Sequence, residues 1–166
     1  MMSPVFGVVG WKNSGKTTLT ERLVSEFTLR GQLVSMIKHA HHYVDVDRPG
    51  TDSYRHRLAG AREVILAGGS RFALMHEYRD GPEFELDELL HRLSPCDLVL
   101  VEGFKKTPIP KLEVHRQERG LGLIASDDPS ILAVASDCDL PSFGLPIFDL
   151  NDIKSIADFI WSHVDA

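Results

Sequence analysis

Gly10-Trp11-Lys12-Asn13-Ser14-Gly15-Lys16-Thr17 fits G-x-x-x-x-G-K-[ST] at every fixed position. Residues of these types at this spacing bind phosphate. Glycines let the backbone turn so that successive N–H groups face one anion. The start of a following helix adds unpaired N–H groups and partial positive charge. The pattern assigns the Lys16 ammonium to the β- and γ-phosphates and the Thr17 hydroxyl to Mg2+. Gly10, Asn13, Ser14, Gly15 and Thr18 complete the expected cradle, and Lys12 adds a supporting charge. The expected ligand is a purine nucleoside triphosphate with Mg2+.

A second acidic element lies downstream. Leu98-Val99-Leu100-Val101 is a wholly apolar run that ends in Glu102-Gly103. A carboxylate at the carboxyl end of a parallel strand, beside a phosphate loop, can hold Mg2+ through a water. Glu102 is therefore a candidate metal residue, and Gly103 would let the backbone approach the terminal phosphate. The polar stretch Lys38 to Gly50 allows three readings. Asp45 or Asp47 completes the Mg2+ shell while Arg48 pairs with phosphate. Alternatively, His39, His41 and His42 ligate a transition metal. The plain alternative is a solvated loop. Arg55, His56 and Arg57 follow on one short element, either as an anion receiver or as an exposed helix face.

The elements that must position these residues alternate between short apolar runs and helical spacing. Val5–Val9 and Leu33–Ile37 read as strands flanking a helix over Thr17–Arg30. Thr51–Ala61 is a short helix capped by Thr51 or Asp52. Val64–Ala67 and Arg71–Glu77 flank Gly68-Gly69 as a hairpin. Glu85–Leu93 is helical, and Leu98–Val101 and Ile131–Ala135 are buried strands. Lys111–His115 alternates, which predicts an edge or partner-facing strand. Ile153–Val164 closes the chain as an amphipathic helix. The order predicts an α/β fold in which helices flank a mostly parallel central sheet, within one domain spanning residues 1–166.

Composition narrows the function classes. The 166 residues carry a formal net charge of −6, which argues against a nucleic-acid partner. No apolar run approaches the roughly 20 residues that span a bilayer, so no membrane partner is expected. Cys96 and Cys138 stand far apart, in no metal-binding spacing. Their pattern and the absence of a signal-like leader suggest a reducing, cytoplasmic setting.

Taken together, several blocks resemble the molybdopterin-guanine dinucleotide biosynthesis adapter family, MobB. They are Gly10–Leu19, Ile37–His42, Asp45–Gly50, Asp52–His56, Leu100–Lys105 and Leu112–Arg116. The resemblance implies a P-loop NTPase-type fold that binds GTP with Mg2+. It also implies a homodimer that assists a guanylyltransferase of the MobA type, with weak GTP hydrolysis at most and no catalytic residue assigned. Contact with molybdopterin itself stays open. Tyr43 and Thr51 depart from the family pattern, where an acid and a lysine are common.

Guanine selection is not fixed by a motif. Asp137 follows the strand Ile131–Ala135 and could accept from the N1–H and 2-amino groups that adenine lacks. Asn151-Asp152 is a rival, although a helix N-cap accounts for it more simply. Two other functions keep the phosphate loop: a metal-delivery GTPase using the histidines, and a nucleotide-dependent small-molecule kinase. For the homodimer, the candidate edges are Lys111–His115 and Arg71–Glu77.

Overall fold

The computed structural model describes residues 3–40, 44–141 and 144–164. The chain divides into two compact units: Met1–His39 with Leu86–Ala166, and Ala40–Glu85.

The larger unit is built on a six-stranded sheet. Its strands are β1 (Val5–Gly10), β2 (Val34–Lys38), β5 (Leu98–Glu102), β6 (Lys111–His115), β7 (Ile131–Ser136) and β8 (Ile147–Asp149). They lie in the order β2-β5-β1-β6-β7-β8, and every neighbouring pair is parallel. β8 is absent from the sequence-based expectation. Three residues after a Gly-Leu-Pro segment are too few to show an alternation.

Helices α1 (Lys16–Leu29) and α4 (Ile153–Ser162) share one core with the sheet. α1 contributes Leu19, Leu23 and Phe27; α4 contributes Ile156, Ala157 and Ile160. Each large side chain fully buried in this way is worth about 1.5–3 kcal/mol. The Asp152 carboxylate caps α4, accepting from Ser155 N at 3.2 Å, so the N-cap reading of Asn151-Asp152 holds. A second core holds Ile37, Val99 and Val101 with Leu86 of α3 (Leu86–Leu90). β5 thus buries alternate side chains on both faces, which explains its unbroken apolar run.

β6 overturns one expectation. It lies between β1 and β7, so both its backbone edges are paired and it cannot receive a partner strand. Its alternation comes from buried charges rather than a solvated face. Lys111 is 1% exposed and Glu113 is 0% exposed. The Lys111 ammonium donates to Lys105 O at 2.7 Å, Thr107 O at 2.9 Å and Asp128 Oδ2 at 2.7 Å. Burial opposes ionisation of Asp128, but the Lys111 and Ser130 contacts hold its carboxyl below the usual range. The Lys111 stem also crosses Gly7 so closely that a Cβ there would meet Lys111 Cγ at 2.5 Å.

Glu113 accepts from two backbone donors, Ile124 N at 3.0 Å and Ala125 N at 2.8 Å. It thereby fixes the segment after β6, which contains two short 3-10 turns, Gln117–Arg119 and Ile124–Ser126.

The smaller unit contains α2 (Asp52–Leu58) and the antiparallel pair β3 (Glu63–Ala67) and β4 (Phe72–His76). Thr51 is the N-cap of α2, accepting from Tyr54 N at 3.4 Å. Gly68 N donates to Arg71 O at 2.9 Å to close the hairpin. Arg57 organises this unit: its guanidinium meets Asp45 at 2.9 Å, Asp47 at 3.2 Å and Glu77 at 2.6 Å. It is an internal tie, not an anion receiver. The Glu77 hydrogen bond, followed by that of Asp45, raises its pKa further.

Glu113→Ala leaves two backbone donors without their charged acceptor. It should lower unfolding free energy by about 2–4 kcal/mol. Urea unfolding measures this, and a loss below about 0.5 kcal/mol, the range of ordinary surface changes, would contradict the assigned role.

Candidate functional site

The parallel sheet brings the carboxyl ends of β1, β2, β5, β6 and β7 to one side. The loop from Gly10 to Thr17 leaves β1 there and enters α1. Asn13 at φ 61° and Gly15 at φ 94° give the left-handed turns the loop needs. Asn tolerates that conformation better than most residues, and Gly15 takes it as the N-cap of α1. Lys12 and Asn13 are exposed at the tip, and Thr17 and Thr18 are exposed on the first helical turn.

The first helical hydrogen bond of α1 runs from Leu19 N to Gly15 O at 3.0 Å. No side chain caps this end, and its first turn contains no acid. The N–H groups of that turn therefore have no acceptor within the helix. Ser14 is 2% exposed, and its buried hydroxyl has no hydrogen-bond partner among the described residues. Lys16 Nζ donates to Gly10 O at 3.1 Å and Trp11 O at 2.7 Å, closing over the loop's own carbonyls. Burial first, then the Lys105 ammonium, push its pKa below the ordinary lysine range; Glu102 pulls the other way. Donors without acceptors, one orphaned hydroxyl and a crowded ammonium together fit a polyanion.

Glu102 ends β5 and is 5% exposed. Its Oε1 accepts from Thr17 Oγ1 at 3.0 Å, and its Oε2 accepts from Thr20 Oγ1 at 3.3 Å. The two residues expected on the metal side are thus in direct contact, although 85 positions separate them. A hydroxyl and a carboxylate are oxygen donors of the kind Mg2+ takes. Gly103 also serves the fold. Its N–H donates to Val8 O at 3.2 Å, and a Cβ there would meet His39 Cβ at 3.0 Å. Its missing side chain makes room for His39, which stacks on Phe104 at 4.7 Å between ring centroids.

Asp137 follows β7, where its Oδ1 accepts from Gln117 N at 3.0 Å. Its Oδ2 lies 3.5 Å from Arg116, whose Nε donates to Ser14 O at 3.1 Å. Arg116 therefore ties Asp137 to the phosphate loop. A cleft of about 570 Å³ beside it is lined by Asp137, Asp139, Phe148, Asp149 and Asn151, among others.

Asp45 and Arg48 belong to the smaller unit. Asp45 takes Arg57 on both oxygens, at 2.9 and 3.1 Å, and Arg48 is exposed. His41 and His42, on which the transition-metal reading depends, lie outside the described residues. Among the described residues, no group of three or more His, Cys, Asp or Glu side chains could hold a metal ion.

Four residues near the loop carry no role in the sequence-based reading: Trp11, Lys38, Lys105 and Arg116. Trp11 Nε1 donates to Gly122 O at 2.8 Å, and Lys105 Nζ lies 4.6 Å from its ring centre. Lys38 Nζ donates to Thr17 Oγ1 at 3.0 Å. The usable signal was position: Lys38 and Arg116 stand at the carboxyl ends of β2 and β6.

The family model of molybdopterin guanine dinucleotide synthesis protein B (MobB) matches residues 5–137. The chain belongs to the MobB family. The adapter protein of molybdopterin-guanine dinucleotide biosynthesis from Haemophilus influenzae is 44% identical over 164 residues, covering 96% of this chain and 90% of that one. Its Escherichia coli counterpart is 41% identical, covering 96% and 92%. The crystal structure of Bacillus subtilis MobB superposes with a TM-score of 0.74 at 30% identity, covering 97% of this chain and 98% of that one. The expected P-loop NTPase-type fold is therefore the fold of this MobB family member.

Trp11→Phe removes the hydrogen bond to Gly122 while keeping the ring. It should accelerate backbone amide exchange across residues 117–126 and change global stability by less than about 1 kcal/mol, as befits an exposed hydrogen bond. Unchanged exchange in that segment would show that Trp11 does not secure it.

Proposed function

We propose that this protein is a GTP-binding adapter in molybdopterin-guanine dinucleotide synthesis, acting beside the guanylyltransferase of that pathway. The observation that carries the nucleotide part is the uncapped, acid-free start of α1 together with the buried, unpartnered Ser14 hydroxyl. The two bacterial relatives, both adapter proteins of molybdopterin-guanine dinucleotide biosynthesis, support the adapter part.

In this reading, the first-turn N–H groups and Ser14 Oγ donate to phosphate oxygens. Lys16 exchanges the carbonyls of Gly10 and Trp11 for the phosphates, a better partner for a desolvated ammonium. Thr17 and Glu102 hold Mg2+, which when bound neutralises charge on the phosphates. Asp45, whose carboxylate also takes Arg57, is proposed as a further metal residue. Gly10, Asn13 and Gly15 shape the loop, while Lys12 and Thr18 contribute at its exposed rim. Arg48 remains a proposed phosphate contact through its charge alone.

Asp137 is the proposed guanine acceptor. Its connection to Ser14 through Arg116, and the adjoining cleft, support that assignment. Hydrolysis is proposed to be slow, with this protein holding GTP rather than consuming it. Both cysteines are free, as suits the proposed cytoplasmic setting. No helix among the described residues is long and apolar enough to cross a membrane.

The proposed homodimer uses the β3–β4 sheet. A two-stranded sheet is marginal alone. On one of its faces Ile65 is 65% exposed, Phe72 72% and Leu74 42%. A second copy covering that face would bury them.

Isothermal titration should show Mg2+-dependent binding of GTP in preference to ATP. Lys16→Ala should weaken it by about 100-fold, since one charge-assisted contact is worth about 1.5–3 kcal/mol. A preference for ATP would sink the adapter reading in favour of a kinase. GTP turnover above about 1 s⁻¹ without a partner would contradict slow hydrolysis. For the dimer, sedimentation velocity should show two chains for wild type and one for Phe72→Glu. A wild-type monomer at micromolar concentration would end that proposal.

A further inference from the structure

Glu102 presents a charge that must be balanced in every state of the protein. Its side chain is only 6% exposed, and an uncompensated carboxylate at that depth is strongly destabilising. Among the described residues, Oε2 receives only the Thr20 hydroxyl. The balancing cation is Lys38, which is in register with Glu102 across the parallel β2–β5 pair. Lys38 Nζ lies 3.2 Å from Glu102 Oε1 and 3.0 Å from Thr17 Oγ1. Thr17 in turn donates to the same Oε1 at 3.0 Å. One ammonium therefore sits against both oxygens that the proposed function gives to Mg2+.

We propose that Lys38 is a stand-in for the divalent cation: it holds Thr17 and Glu102 in place, and the metal binds by displacing it. This rests on the GTP·Mg2+ reading above and adds to it an internal competitor for the metal. Mg2+ binds its oxygen ligands at about 2.0–2.1 Å, so a metal taking the Thr17 hydroxyl would sit against the Lys38 ammonium. An ammonium within hydrogen-bonding distance of the same two oxygens would face a doubly charged neighbour at close quarters, so occupancy is exclusive. Departure is easy for Lys38. Its side chain is 50% exposed, and its four-carbon stem is flexible, so the head can move into water without disturbing the core.

The exchange keeps the buried carboxylate paired throughout, by lysine before loading and by metal after it. It also makes the metal dependent on the nucleotide. Thr17 and Glu102 offer few ligands against a competing cation, and the phosphate oxygens supply the rest. Lys38 is thus a positioning residue that sets the metal concentration at which the site loads.

The test counts bound Mn2+ by electron paramagnetic resonance, with saturating GTP, in wild type and Lys38→Met. A stand-in present nine-tenths of the time raises the apparent dissociation constant about tenfold, so Lys38→Met should load at about one-tenth of the wild-type Mn2+ concentration. Lys38→Arg, which retains a cation, should stay nearer to wild type, and circular dichroism verifies that each variant is folded. GTP affinity at saturating Mn2+ should differ by less than about threefold between wild type and Lys38→Met, because no phosphate contact is lost. An unchanged or raised Mn2+ midpoint in Lys38→Met, beside a wild type that binds GTP with metal, overturns the stand-in alone. A loss of GTP affinity beyond about tenfold at saturating metal also overturns it, by making Lys38 a phosphate ligand. A wild type that binds no Mn2+ with GTP overturns the proposed function, and the stand-in falls with it.

Discussion

The arrangement depends on a carboxylate held out of water at the end of a strand buried on both faces. Burying Glu102 is unfavourable in isolation, and its surroundings are built to offset that cost. β2 delivers Lys38 from one side, and α1 delivers Thr17 and Thr20 from the other. For those groups to converge, β5 must lie between β1 and β2, and α1 must leave directly from β1. The strand order does both. Chains that place an acid here therefore need the parallel order for electrostatic reasons as well as for core packing.

The same sheet carries a second buried charge system that serves structure. Lys111 and Glu113 occupy β6 one position apart from apolar residues, and each is satisfied by backbone groups of the loops around the sheet. Lys111 fastens the segment before β6 and Asp128 beyond it; Glu113 fastens the turn at Ile124. Through Gly122, that later segment also meets Trp11 of the phosphate loop. The loop is thus tied, through Gly122, to a segment that a buried carboxylate of β6 holds.

How far the sequence disclosed this depends on whether a feature is local. The Gly10–Thr17 loop is one continuous stretch with obligatory residue types, so its strand–loop–helix setting was legible. Long apolar or periodic segments such as β1, α1, β5 and α4 were equally plain. Glu102 was legible because an apolar strand ending in an acid is a short-range signal. β6 misled because alternation records polarity, not solvent exposure: a lysine with three oxygen partners and a glutamate with two N–H partners look the same in sequence as solvated ones. Arg57 misled for the same reason, since Asp45, Asp47 and Glu77 approach it from distant positions. Lys38 and Arg116 gained their contacts only once strand order set their neighbours.

A chain with net charge −6 nonetheless gathers cations around the loop. Burial chiefly, then Lys105 and to a smaller degree Lys38, lowers the pKa of Lys16, while Glu102 opposes them. Like charges held together destabilise a site until an anion arrives, and its arrival then relieves several repulsions at once. Lys105 is partly restrained by the Trp11 ring, and Lys38 by Glu102 and Thr17. Each ammonium is thereby given a local partner, which the proposed polyanion and metal would replace. Such partners keep the concentrated charge compatible with a folded, ligand-free protein. They also explain why the strongest candidate ligands in this loop are found closed over its own carbonyls and hydroxyls rather than extended into solvent.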